Sequence, residues 1–178
     1  MTDPGPDPDA VKSSFAPAAD AAARVLILGS LPGELSLRRR QYYGNPRNQF
    51  WRLLGAVLGD DLERLDYEPR LAALRSAGVG LWDVVRTARR HGSLDGAIRE
   101  HQPNALAEFA ATLPALRAIA FNGGKAAAIG RRQLGAAPRW ALIDLPSSSP
   151  AHTMAFERKK ARWLEMKPYL APEPSPIR

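Results

Sequence analysis

Five short segments of this 178-residue chain carry side chains able to do chemistry: Gly29-Ser30-Leu31-Pro32-Gly33, Asn45-Pro46-Arg47-Asn48, Trp82-Asp83, Phe121-Asn122-Gly123 and the run from Leu145 through Pro146, Ser147, Ser148, Ser149, Pro150 and Ala151 to His152. Asn, Ser and His can position a water and donate hydrogen bonds to developing negative charge, whereas a carboxylate accepts unless protonated. Asp144, Ser148 and His152 also supply the residue types of a hydrolase triad. Near neighbours on one loop rarely converge in triad geometry, and no Gly-x-Ser-x-Gly elbow precedes a helix, so a small-molecule hydrolase is the weakest reading. The first segment is neither Gly-x-Gly-x-x-Gly nor a loop ending in Gly-Lys-Ser/Thr, which argues against a nucleotide cofactor. Covalent amine chemistry wants a lysine with a depressed pKa, and Lys12, Lys125, Lys159, Lys160 and Lys167 come without a pocket to depress it. With no cysteine and three scattered histidines, neither a disulfide nor a metal site is expected.

Strands must position these segments. Arg24 to Gly29, Val79 to Asp83, Arg117 to Phe121 and Trp140 to Leu145 are near-continuous apolar runs, the mark of strands covered on both faces. Helical periods separate them, which makes the connections crossovers and the sheet parallel or mostly so. One helix follows Asn45-Pro46, with Phe50, Leu53, Leu54, Val57 and Leu58 as its stripe and Gly59 as its stop. Others are expected from about Pro69 to Gly78, from Pro103 through Leu113, after Gly124, and from about Thr153 to Tyr169. Ligands of open parallel sheets bind beyond the carboxyl ends of the strands, where four of the five segments fall.

Composition bounds the rest. The chain suits one α/β domain, here taken as residues 23–170, with a proline-rich leader over 1–22 and a loose tail over 171–178. The net charge is +7, but the leader holds Asp3, Asp7, Asp9 and Asp20 against Lys12 alone, so residues 23–178 carry +10. Such a surplus favours a polyanionic partner. Basic residues gather beside the candidate segments as Arg38, Arg39, Arg40 and Arg47, as Arg86, Arg89 and Arg90, and as Arg158, Lys159, Lys160 and Arg162. They read as a phosphate-tracking rim or, more simply, a solvated face. No apolar run reaches the ~20 residues that span a bilayer and no secretory signal opens the chain, so a soluble, cytoplasmic monomer is expected.

Taken in order, GSLPG, QYYGNPRNQFW, GVGLWDVV, FNG and LPSSSPAH resemble the hypoxanthine-DNA glycosylases of the uracil-DNA glycosylase superfamily, over about residues 24–170. The chain is also similar to the mismatch-specific uracil glycosylases, which share a Gly-x-x-Pro-Gly first motif, an Asn-x-Phe-Trp helix start and a Pro-Ser-rich final loop. The resemblance implies a three-layer α/β/α sandwich around a short, mainly parallel central sheet, with a base-flipping pocket at the strand ends. It further implies a monofunctional enzyme of base excision repair that needs no metal or cofactor. Such an enzyme flips a deaminated base, hypoxanthine first and then uracil or xanthine, out of DNA and hydrolyses its N-glycosidic bond.

Many relatives carry Asp or Asn in the first motif to position water, where this chain has Leu31. The resemblance moves that role to Asn48, with Asn45 as runner-up, although either can be explained as helix-start polarity or a cap. Ser30, Leu31, Tyr43, Phe50, Asp83 and Asn122 become candidates for holding the base. Tyr42 and Trp82 are further candidate aromatic platforms. Asp83 stands where relatives present an Asn to the base edge, and equally suits a cap or a partner for Arg86. Asn122 suits a turn. His152 is implied in catalysis, Ser147, Ser148, Ser149 and Arg47 in DNA contacts, and Met154 as a wedge. Leu31 also motivates the alternative of a catalytically silent DNA-binding module.

Overall fold

The computed structural model describes residues 7, 10–136 and 138–172. Among these the strands are β1 (Val11–Ser13), β2 (Val25–Gly29), β3 (Val79–Asp83), β4 (Val85–Arg89), β5 (Arg99–Pro103), β6 (Ala118–Asn122) and β7 (Ala141–Leu145). The helices are α1 (Glu34–Arg39), α2 (Phe50–Leu58), α3 (Tyr67–Ser76), α4 (Leu106–Ala111), α5 (Gly124–Leu134), α6 (Phe156–Trp163) and α7 (Lys167–Leu170).

The four apolar runs form one parallel sheet in the order β3-β2-β6-β7. Alternate residues of each strand serve opposite layers, as the pleat requires. On one face Val25, Ile27, Leu81 and Ala120 pack against Phe50, Leu53 and Leu54 of α2, Leu74 of α3 and Trp163 of α6. On the other, Leu26, Leu28, Ile119 and Phe121 meet Leu106 and Ala110 of α4 and Ala126 and Ile129 of α5. This is the expected three-layer sandwich. Its register sets the site, because Gly29 pairs with Asp83 and Asn122 with Leu145, so the four strand ends lie along one edge of the sheet.

A second sheet was not foreseen. The chain turns at Val84 and runs on into β4, which pairs antiparallel with both β1 and β5. The expectation of a loose leader therefore fails for residues 11–22. Val11 pairs with Arg89, Ala18 bridges Leu81, and Phe15 packs edge-on against Tyr42 with ring centroids 5.2 Å apart. Apart from Asp7 and Ala10, the earlier leader lies outside the described residues, as do tail residues 173–178.

Helix starts also move. Asn45 and Asn48 turn the chain before α2 rather than within it, so that helix begins at Phe50. Pro103 ends β5 as its last residue, which delays α4 to Leu106. α1 was not anticipated at all. The last expected helix is interrupted by a 3-10 turn over Leu164–Met166 before α7.

Candidate active site

The carboxyl edge of the parallel sheet opens into a cleft of about 650 Å³. Ser30, Leu31, Tyr43, Asn45, Arg47, Asn48, Asp83, Asn122, Ser147, Ser148, Ser149 and His152 all line it. The structure thus brings together all five segments singled out in the sequence. Phe50 does not reach the surface of the cleft. It is fully buried, with the Tyr43 ring stacked over it at a centroid separation of 3.7 Å and an interplanar angle of 3°. Tyr43 is the aromatic face presented to the cleft, held there in a left-handed backbone conformation, φ 53°. Met154 is exposed but does not line the cleft. Tyr42 is a lining residue whose hydroxyl donates to the Ala16 carbonyl. Trp82 packs against Phe109, away from the cleft.

Asp83 sits at the end of β3, 3% exposed, and among the described residues its Oδ2 has no hydrogen-bond partner. Burial pushes its carboxyl up to about 7; the Arg90 guanidinium opposes that shift and the Asp95 charge reinforces it. A proton is therefore available on Asp83 near neutrality, and the side chain can donate as well as accept. Burial, reinforced by the charge of Asp83, likewise holds the Tyr43 phenol well above its ordinary range, so it stays neutral.

Asn122 is a clamp. Its Oδ1 accepts from the Ser148 N–H at 2.9 Å, and its Nδ2 donates to Ser148 Oγ at 2.8 Å and to the Tyr43 hydroxyl at 3.1 Å. These bonds join the end of β6 to the final loop and to the aromatic face. The Ser148 carbonyl accepts in turn from the Gln49 N–H at 3.0 Å, and the Pro146 carbonyl from the Trp163 indole at 3.0 Å. Ser147 and Ser149 cap turns of the same loop through their hydroxyls. The triad does not assemble: Asp144 is exposed and paired with Arg131, while Ser148 is buried against Asn122.

Sequence reasoning missed the loop between β4 and β5. Arg90, expected on a cationic rim, is 1% exposed and donates to the carbonyls of Leu31, Pro32 and Gly92. It braces the first motif from beneath. Ser93 Oγ accepts from the Glu34 N–H at 2.9 Å, and Asp95 accepts from Ser30 Oγ. Ser93, Leu94 and Asp95 all line the cleft. The turn-rich Gly92-Ser93-Leu94-Asp95-Gly96 could have flagged this loop, but only the unforeseen second sheet carries it back over the first motif. Lys159 is likewise buried, its Nζ 3.4 Å from the Ser149 carbonyl. Arg38, Arg39, Arg40, Arg47, Arg158 and Arg162 are exposed. Among the described residues no group of three or more His, Cys, Asp or Glu could hold a metal, and no helix is long and apolar enough to cross a membrane.

Residues 16–170 match the family model described as the uracil DNA glycosylase superfamily. The chain is 38% identical over 154 residues to a protein named hypoxanthine DNA glycosylase from Methanosarcina barkeri, covering 86% of this chain and 96% of that protein. It is 38% identical over 153 residues to the protein of the same name from Methanosarcina acetivorans, with the same coverage of 86% and 96%. The fold is similar to the solution NMR structure of a Methanosarcina acetivorans protein described as a candidate uracil DNA glycosylase. That match has a TM-score of 0.79 at 37% identity, over 90% of this chain and 99% of that one.

Proposed function

The chain belongs to the uracil DNA glycosylase superfamily, and from that premise we propose that it is a monofunctional DNA glycosylase acting on deaminated bases, hypoxanthine first and then uracil and xanthine. The observation that carries this reading is the unpartnered Oδ2 of Asp83, buried at the cleft beside the Tyr43 ring. A buried polar atom without a partner costs stability unless a ligand completes it. A carboxyl that titrates near 7 offers a donor and an acceptor side by side, and the N1–H and C6=O edge of hypoxanthine offers their complements. Uracil and xanthine carry the same N–H and C=O pairing. Tyr43 supplies a ring against which a flipped base stacks.

As the N-glycosidic bond breaks, negative charge grows on the departing base, and donors aimed at it lower the barrier. Asn48 suits that part. Its Oδ1 already accepts from the Phe50 N–H at 3.0 Å, which leaves Nδ2 as its contribution to the cleft. Asn45 is similarly engaged by the Arg47 N–H, and His152 stands on the opposite loop. Arg47 and the arginines of α1 supply exposed charge for flanking phosphates, together with the hydroxyls and N–H groups of the final loop. The monofunctional reading fits the lining of the cleft, which among the described residues includes no lysine, while Lys159 donates to the Ser149 carbonyl of the final loop.

The test is incubation with duplexes holding a single hypoxanthine, uracil or xanthine, followed by alkali to cleave abasic sites. Cleavage at hypoxanthine is expected, with most of it lost in Asn48→Ala. DNA binding without cleavage on any of the three duplexes would overturn the enzymatic reading in favour of a catalytically silent binding module.

A further inference from the structure

Hydrolysis of a glycosidic bond needs an acceptor that orients a water and takes its proton. The cleft holds few. The Oδ1 atoms of Asn45, Asn48 and Asn122 are each occupied by a backbone N–H. Asp83 is buried, and the first motif contributes only Ser30 as a polar side chain. The β4–β5 loop contributes one more carboxylate, Asp95, whose Oδ1 accepts from Ser30 Oγ.

Resting on the glycosylase reading above, we propose that Asp95 is the carboxylate that holds the attacking water and takes its proton. The loop is built to place it. Arg90 and Lys12 both donate to the Gly92 carbonyl, Ser93 accepts from the backbone of Glu34, and the Asp95 carbonyl accepts from the Ile98 N–H. Among the described residues Ser30 is the side-chain donor to the carboxylate, so one oxygen is fixed and the other is left for water. Ser30 and Asp95 meet at the end of β2, where the cleft also receives the carboxyl of Asp83. The step balances: water oxygen bonds to C1′ as the C1′–N bond breaks, the base departs with that electron pair and takes up a proton from solvent, and Asp95 accepts the proton of the water and returns it to bulk.

Asp95→Asn keeps an acceptor for Ser30 and removes the base, so it separates chemistry from loop anchoring. On the hypoxanthine duplex its single-turnover excision rate should fall about 100-fold. Its affinity for the same duplex should stay within about threefold of wild type, and its melting temperature should be unchanged. Asp95→Glu, which keeps a carboxylate, should be faster than Asp95→Asn. A loss smaller than tenfold in Asp95→Asn, a loss matched by weaker binding or a lower melting temperature, or an Asp95→Glu variant no faster than Asp95→Asn overturns the assignment while leaving the glycosylase reading intact. Should Asp95→Asn not fold, Asp95→Glu and Ser30→Ala decide the matter. Asp95→Glu should keep part of the wild-type rate and Ser30→Ala should fall below the wild-type rate, each with binding retained; an inactive Asp95→Glu or a wild-type rate in Ser30→Ala overturns the assignment. A wild-type protein that excises nothing overturns both.

Discussion

Gly29 and Asp83 are register partners at the ends of β2 and β3, and a Cβ added at Gly29 would lie 2.7 Å from Asp83 Oδ1 and 3.0 Å from the Tyr43 hydroxyl. The glycine is therefore there for space, since it lets a carboxyl and a phenol close over the strand end. Gly29→Ala must displace one of two buried groups and should cost about 1–3 kcal/mol of stability. Its excision rate should fall further than that loss explains, because the displaced groups are the proposed base contacts. Urea unfolding and single-turnover excision measured on the same preparation check this. Wild-type excision in Gly29→Ala would free Asp83 and Tyr43 from that role.

Asp83 makes stability depend on pH with a definite sign. Its carboxyl is raised from 3.8 to about 7 in the folded state, so between those values the unfolded chain has lost a proton that the folded chain keeps. Stability is fully present below about pH 4 and is lost as the pH rises through about 7, by at most about 1.4 kcal/mol per pH unit. Burial drives the shift; of the charged groups around the carboxyl, Arg90 opposes it and Asp95 reinforces it, while Tyr42 and Tyr43 beside it stay neutral. Asp83→Asn should remove this slope, so its melting temperature should gain on wild type from pH 4 to pH 8. Melting curves that stay parallel would show that Asp83 is ionised throughout.

Removing the Asn122 clamp should act on the whole cleft. Asn122→Ala leaves the buried Ser148 N–H and hydroxyl, and the Tyr43 hydroxyl, without their partner. Roughly 1–3 kcal/mol is expected from the unsatisfied groups, together with loss of excision as the final loop comes away from Tyr43. Asn122→Asp should retain the Ser148 N–H bond and part of the stability. A variant as active as wild type would show that the loop is held well enough by Gln49 and Trp163.

The parallel sheet was legible because Val25 to Leu28 and Ala118 to Phe121 are buried on both faces, and burial on both faces leaves an unbroken apolar run. The second sheet left no such trace. β5 reads Arg-Glu-His-Gln-Pro and is exposed throughout, so it is a strand by pairing with β4 and not by pattern. Site residues followed the same divide. Asp83 and Asn122 end strands that announce themselves, and both line the cleft. Asp95 could be placed only once the β4–β5 loop was seen to fold back onto Ser30. Phe50 was read as a surface for a base when it is the floor beneath Tyr43, a distinction of depth that helical spacing does not encode.

Arg47 and Arg90 both counted as rim charges in the sequence, and the structure separates them into a surface cation and a buried brace. Arg47 is exposed at the mouth of the cleft. Arg47→Ala should weaken binding to any duplex alike and lower the salt dependence of the affinity by about one counterion. Arg90→Met should leave that salt dependence as it is, because the guanidinium is 1% exposed and spends its donors on the carbonyls of Leu31, Pro32 and Gly92. Its cost falls on the fold, roughly 1–3 kcal/mol for the carbonyls it leaves unpaired, and on excision, since both Ser30 and Asp95 flank those carbonyls. Salt titrations of binding, set beside urea unfolding of each variant, separate the two roles. A reduced salt slope in Arg90→Met would return that arginine to the DNA surface and remove the brace from beneath the first motif.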